Sequence, residues 1–193
     1  MRIIAGKWRG LRLTSLGKGD SAAHLRPTQD RVRESLFNVL AGGGFGSPLE
    51  GASVLDLFAG TGALGLEALS RGAEAAVFVE TGRKSAAILS ENIRLTGAEA
   101  VAKVLKADAT RLPQCLGPPA TLVFLDPPYG RGLGARALAS ARAGGWLAPD
   151  ALILWEEAQP EPPPEGFATL EIRRYGSSVV SFLEHRPQSL GDR

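Results

Sequence analysis

From residue 53 onward, short apolar runs alternate with amphipathic stretches. The runs are Ser53–Phe58, Ala75–Val79, Val101–Leu105, Thr121–Leu125 and Ala151–Trp155. Apart from Ser53, Asp56, Lys103 and Thr121 they are apolar throughout rather than alternating, the pattern of strands buried on both faces. Between them, Ala63–Arg71, Arg83–Thr96 and Gly134–Ala143 place apolar side chains at helical spacing, and Gly72 and Gly97 stand where the first two should end. The alternation predicts a parallel sheet with helices packed on it. The rhythm breaks at residues 159–166, where four prolines remove the amides that a helix or ladder needs. Beyond them, Thr169–Arg174 and Val179–Glu184 flank Gly176 with no room for a helix, so they form an antiparallel hairpin. The expected fold is α/β: a doubly wound, mostly parallel, seven-stranded sheet of Rossmann-like type that ends in an antiparallel hairpin.

The first 50 residues do not follow this rhythm. Arg2–Ile4 and Leu11–Thr14 can pair as a small β-hairpin around Gly6–Gly10, and residues 15–25 form a polar loop. A helix is predicted from Pro27–Asp30 to Gly42, with Thr28 as its N-cap. This divides the chain into an N-terminal extension (1–25), a main domain (26–186) and a tail (187–193). Residues 1–33 carry eight Lys/Arg against Asp20 and Asp30, a local charge of +6 in a chain of +2. A basic arm on a mildly acidic body suits a polyanionic partner, although a solvated basic tail would have the same composition.

Composition narrows the classes further. At 193 residues the chain accommodates one well-buried domain. A single Cys115 excludes a disulfide framework, and two histidines, His24 and His185, argue against a metal centre. No apolar run approaches the roughly 20 residues that span a bilayer, so no membrane is expected. A free thiol without an export signal points to the cytoplasm. Cys115 reads as a small packing residue.

The chemistry collects at strand ends. After the first strand, Gly60-x-Gly62-x-x-Gly65 matches the dinucleotide-binding fingerprint in letters, and glycines there let a ligand approach the backbone. Asp56, four positions before Gly60, would repel a pyrophosphate but can accept hydrogen bonds from a cationic amino group. The motif alone leaves open a nucleotide-like cofactor, a nicotinamide-dependent oxidoreductase or a plain tight turn. Glu80 follows the second strand, suited to ribose hydroxyls, and Asp108 follows the third, suited to an adenine amine. Either could equally be a cap or a solvated loop acid. The fourth strand ends in Asp126-Pro127-Pro128-Tyr129. Two prolines fix the backbone so that the Asp126 carboxylate and a carbonyl can hold both N–H groups of a nucleobase amine, and Tyr129 offers a stacking face worth ~1–3 kcal/mol. Glu156-Glu157 ends the fifth strand at the same edge and reads as a solvated pair, with a substrate contact as the alternative.

Taken in this order and spacing, Asp56–Gly62, Glu80, Asp108 and Asp126–Tyr129 resemble the class I S-adenosylmethionine-dependent amino-methyltransferases. Two N-terminal blocks, Met1–Leu13 and Arg26–Asn38, are similar to those of the bacterial enzymes that methylate guanine N2 at position 966 of small-subunit (16S) ribosomal RNA. The likeness covers nearly the whole chain except the loop 15–25, the proline-rich stretch and the last residues. The Asp-Pro-Pro-Tyr motif alone is shared with DNA adenine-N6 and protein glutamine methyltransferases, which therefore remain alternatives at the level of the motif. A non-catalytic RNA-binding module keeping the fold is another.

The resemblance implies S-adenosylmethionine as cofactor. Its methionine part would lie along Ala59, Gly60, Thr61 and Gly62 with its amino group near Asp56. Glu80 would take the ribose, and Asp108 with the Ala109 backbone the adenine. Asp126 and the Pro127 carbonyl would bind the guanine amine, with Tyr129 stacking on a base swung out of its helix. Lys7, Arg9, Arg12 and Arg26 would contact RNA phosphates, and Trp8 could stack on a base or pack inward. The expected partner is 16S ribosomal RNA within an assembled or nearly assembled small subunit, bound by a monomer. No metal is expected.

Overall fold

The computed structural model describes residues 1–16 and 26–187, without the side chains of residues 26–30. Its core is a single seven-stranded sheet: β1 (Ser53–Leu57), β2 (Ala75–Val79), β3 (Ala102–Leu105), β4 (Ala120–Leu125), β5 (Leu147–Glu157), β6 (Phe167–Tyr175) and β7 (Ser178–His185). Among the described residues four α-helices accompany it: α1 (Arg26–Ala41), α2 (Ala63–Ser70), α3 (Arg83–Thr96) and α4 (Leu133–Ala143). The strand order is β3-β2-β1-β4-β5-β7-β6. β1 to β5 are mutually parallel, and β7 runs antiparallel to both β5 and β6. The doubly wound sheet with its final hairpin is therefore present as expected.

Period-two alternation distributes the apolar side chains between two faces. Leu122 and Phe124 of β4 join Phe37, Leu66, Phe78 and Leu89 on one side. Val123 and Leu125 join Leu57, Leu138, Ile153 and Trp155 on the other. β5 starts four residues earlier than its apolar run suggests. A register shift between Ala120 and Leu122, together with the left-handed backbone of Asp150 (φ 58°), lets Leu147 pair with Ala120 before the main ladder begins. α3 closes on Gly97 in the left-handed conformation (φ 64°), as its sequence requires.

The N-terminal hairpin forms and docks against the domain. The Ile3 and Leu13 amides donate to Leu11 and Met1 carbonyls at 2.9 and 3.1 Å, around an Arg2–Arg12 bridge. Ile3 and Leu13 are buried in the same cluster as Phe78 and Phe124. Glu67, fully buried in α2, accepts the amides of Ile4 (2.8 Å) and Ala5 (3.0 Å) as well as Arg71 Nε (2.7 Å). The Ser70 carbonyl accepts the Lys7 amide, and its hydroxyl accepts the Trp8 amide. Gly6 has φ 82°, and a Cβ there would sit 1.8 Å from the Ser70 oxygen, so no other residue fits this approach.

One local expectation needs correction, one open alternative is decided, and others fall outside the described residues. α1 begins at Arg26, which places Thr28 in its first turn rather than at the N-cap. Trp8 is half-buried and packs on the core, with Lys7 Nζ 4.2 Å from its ring centroid. Most of the loop 15–25, the tail beyond residue 187 and the Arg26 side chain lie outside the described residues. His185 is buried, with Nδ1 2.8 Å from the Ala148 carbonyl oxygen, and Cys115 packs partly buried against the second core face. Among the described residues, no helix is long and apolar enough to cross a membrane and no cluster of three ligating side chains could hold a metal ion.

Candidate active site

Because β1 to β5 are parallel, their carboxyl ends share one edge. The chain steps outward from β1 to β2 and β3 on one side, then restarts at β4 on the other. That reversal between β1 and β4 opens a crevice above their ends, where open α/β sheets bind ligands. Asp56 near the end of β1 and Asp126 just past β4 flank it. Glu80 follows β2, Asp108 follows β3, and Glu156 and Glu157 end β5.

The first loop is held by its own acids. Asp56 Oδ2 accepts the Gly65 amide at 3.0 Å, tying the end of β1 to the first turns of α2. Glu80 spans two loops, accepting the Gly60 amide at 2.8 Å and the Gly82 amide at 2.5 Å. A carboxylate has about four acceptor directions, so two remain for a ligand. Gly60 and Gly62 have φ 56° and 83°, and a Cβ on Gly62 would lie 2.4 Å from Leu89 Cδ1. Phe58 also adopts φ 61°, a conformation costing roughly 1–3 kcal/mol in a non-glycine residue. Such strain at the mouth of the loop has no sequence signature. Thr61 is fastened from behind, its carbonyl accepting from Asn92 Nδ2 at 2.9 Å. The same buried carboxamide accepts the Thr14 amide (2.7 Å) and donates to the Thr14 carbonyl (3.0 Å). Asn92 therefore joins the glycine loop, α3 and the N-terminal hairpin. Sequence reasoning overlooked it and Glu67, although each is a polar residue interrupting an apolar helical stripe.

Asp108 caps the 3-10 turn Ala109–Arg111, with Oδ1 accepting the Thr110 amide (2.9 Å) and hydroxyl (2.8 Å). Those bonds hold its pKa below the ordinary range. Ala109 is buried beneath it. On the other flank, Pro127 is buried and Tyr129 is 44% exposed, its hydroxyl donating to Glu156 Oε1 at 2.9 Å. The expectation of a solvated Glu156-Glu157 pair is corrected: Glu157 is only 4% exposed and Glu156 is half-buried on the tyrosine. The pair ends a central strand of the sheet, where both faces are covered.

The electrostatics of the crevice are one-sided. Burial lifts the Asp56 pKa to about 7; the Gly65 amide opposes this and the nearby Glu80 charge adds to it. Asp126 is exposed to solvent, yet surrounding protein pushes its pKa well above the carboxylate range, and the charges of Glu156, Asp56 and Glu157 add to this. Burial and then Glu156 and Asp126 raise the Tyr129 phenol. Burial raises Glu157, with Glu161 adding to it and the Trp155 side chain and the Gly130 and Ala158 amides opposing. Among the described residues no lysine or arginine pairs with Asp56, Asp126 or Glu156. Uncompensated negative charge of this kind fits a cationic ligand and N–H donors. Glu80 acts electrostatically on Asp56, and Glu156 and Asp56 on Asp126, so these acids stand near one another at the sheet edge; Asp108 follows the outer strand β3. A separate groove of about 720 Å³, lined by Ser35, Asn38, Phe45, Leu170 and Arg173, lies beside edge strand β6 and contains none of these groups.

Lys7, Arg9 and Arg12 are exposed on the docked hairpin. Met1 Sδ lies 3.8 Å from the Thr61 hydroxyl, so the hairpin borders the glycine loop.

A sheet of this order, with acids at the ends of four successive parallel strands, defines the class I methyltransferase fold. A family model described as "Conserved hypothetical protein 95" matches residues 1–184. The chain is 42% identical over 156 residues to "Ribosomal RNA small subunit methyltransferase D" of Escherichia coli K12, covering 81% of this chain and 74% of that protein. To the protein of the same name from Haemophilus influenzae it is 37% identical over 188 residues, covering 94% and 91%. The solved structure of Escherichia coli yhhF superposes with a TM-score of 0.79 at 36% identity, over 97% of this chain and 99% of that one. The chain belongs to the ribosomal RNA small subunit methyltransferase D family and is a methyltransferase.

Proposed function

We propose that the chain transfers a methyl group from S-adenosylmethionine to the exocyclic N2 amine of the guanine at position 966 of 16S ribosomal RNA. The observation that carries this reading is the acidic crevice itself: carboxylates without cationic partners, with Asp126, Pro127 and Tyr129 closing one side. When bound, the cofactor supplies an electrophilic methyl on a positively charged sulfur.

The chain's own groups fit that ligand. Asp56 faces its ammonium group, and the glycine backbone along Ala59, Gly60, Thr61 and Gly62 leaves room for its methionine part. Glu80, already fixed by two amides, turns its remaining lone pairs to the ribose hydroxyls. Asp108 and the Ala109 backbone read the adenine.

An aromatic amine is a poor nucleophile because its lone pair is delocalised into the ring. Asp126 and the Pro127 carbonyl each accept one N–H, which favours a tetrahedral nitrogen and aims the lone pair across the cleft. The amine must shed a proton as its new bond forms, and an Asp126 with an elevated pKa is suited to receive it. Tyr129 stacks on the flipped base. Lys7, Arg9, Arg12 and Arg26 contact phosphates, so RNA affinity falls with salt. The substrate is an assembled or nearly assembled small subunit, met in the cytoplasm by a monomer, since the arm alone offers little docking surface.

The test supplies labelled methyl donor with small subunits from cells lacking the gene, followed by nucleoside mass spectrometry. N2-methylguanosine is expected with the wild-type protein, and a loss of about 10²–10³-fold with Asp126→Asn. Equal transfer by the Asp126→Asn protein would remove that carboxylate from the reaction.

A further inference from the structure

Asp126 and Pro127 hold an exocyclic amine, and adenine and guanine both present one. The two bases differ beside it. Guanine carries a second donor, N1–H, next to its 2-amine, whereas adenine has an acceptor nitrogen next to its 6-amine. A pocket that selects guanine therefore needs a second acceptor adjacent to the first.

The structure contains one. β4 and β5 are parallel and in step, with Leu125 opposite Trp155, so Asp126, just past the end of β4, falls beside Glu156, which is still in β5 and paired with Val180 of β7. Glu156 is the foremost charge acting on Asp126. Its Oε1 takes the Tyr129 hydroxyl at 2.9 Å, which anchors the carboxylate on the stacking residue. Among the described residues Oε2 has no hydrogen-bond donor and no cation pairs with Glu156. Two neighbouring carboxylates without a cation repel each other; a ligand presenting two adjacent N–H groups satisfies both.

We propose that Glu156 is the specificity-determining acceptor that takes guanine N1–H while Asp126 and the Pro127 carbonyl take the 2-amine. An adenine in the same place would set its N1 lone pair against the carboxylate, leaving one acceptor facing another. The assignment rests on the amine-methylation reading above and deepens it.

The test uses small subunits reconstituted with RNA carrying either guanine or 2-aminopurine at the target position. 2-Aminopurine keeps the 2-amine but has an unprotonated N1. Wild-type protein is expected to prefer guanine by about 10²-fold in kcat/KM, the discrimination typical of one base-edge hydrogen-bond pair. Glu156→Gln can donate an amide N–H to the unprotonated N1, so its preference should fall below about tenfold. Tyr129→Phe removes the anchor but leaves the acceptor, and should keep the preference while lowering both rates. Cofactor affinity, read by calorimetry, should be unchanged in Glu156→Gln, which also reports that the fold is intact. An unaltered preference in Glu156→Gln would overturn the inference and leave the methylation reading standing. A preference lost equally in Tyr129→Phe would overturn it too, because Glu156 would then act only by placing the ring. Absence of transfer to guanine by the wild-type protein would overturn both.

Discussion

Asp56 supports the site at the expense of the fold, and the size of that conflict follows from its burial. The carboxyl is 3% exposed, and burial raises its pKa from an ordinary 3.8 to about 7. A group that binds its proton more tightly when folded stabilises the native state fully below pH 3.8. It loses that contribution as pH rises through 7, at ~1.4 kcal/mol per pH unit within the window. The whole displacement corresponds to about 4 kcal/mol, taken as an upper bound. Asp56→Asn keeps an oxygen for the Gly65 amide and removes the charge. It also introduces an amide N–H that needs an acceptor, a cost of about 1–3 kcal/mol. That cost is independent of pH, so the comparison across pH isolates the charge. Urea unfolding of both proteins between pH 4.5 and 8 should show the wild type losing about 3 kcal/mol relative to Asp56→Asn, mostly below pH 7. The variant should be the more stable of the two at pH 8 and should bind S-adenosylmethionine at least tenfold more weakly. Parallel stability curves for the two proteins would refute the role given to burial.

Two other outcomes test the remaining architecture. Glu67→Ala strips the Ile4 and Ala5 amides and the Arg71 guanidinium of a buried acceptor, so unfolding should become easier by roughly 3–5 kcal/mol; hydrogen exchange should show Ile4 and Ala5 losing protection before the sheet does. Replacing Lys7, Arg9 and Arg12 together by alanine should reduce the slope of log affinity for small subunits against log salt by about 2–3, while cofactor binding measured by calorimetry stays unchanged.

The parallel strands were legible because a continuous apolar run of about five residues, too short for a buried helix, fits a strand covered on both faces, and the glycines ending the helices marked their limits. The strand-end acids could be found for the same reason: once the runs are parallel strands, their last residues must share an edge. The hairpin followed from spacing alone. Position on an edge does not specify what an acid does there. Glu156 and Glu157 look alike in sequence, yet β5 buries one and sets the other beside Asp126, because consecutive strand residues face opposite sides of the sheet and the packing differs between them. Glu67 and Asn92 each interrupt an apolar stripe, and most of the groups that satisfy them lie some 60 to 80 residues away on the N-terminal hairpin. Hydrogen bonds across such separations exist only after the chain has closed on itself, so local patterning carries no trace of them. The pKa of Asp56 belongs to the same category: water is excluded from it by helices and strands it does not touch in sequence. Residue order set the type and sequence of elements, while mutual packing determined the electrostatics and the partners of the polar groups between them.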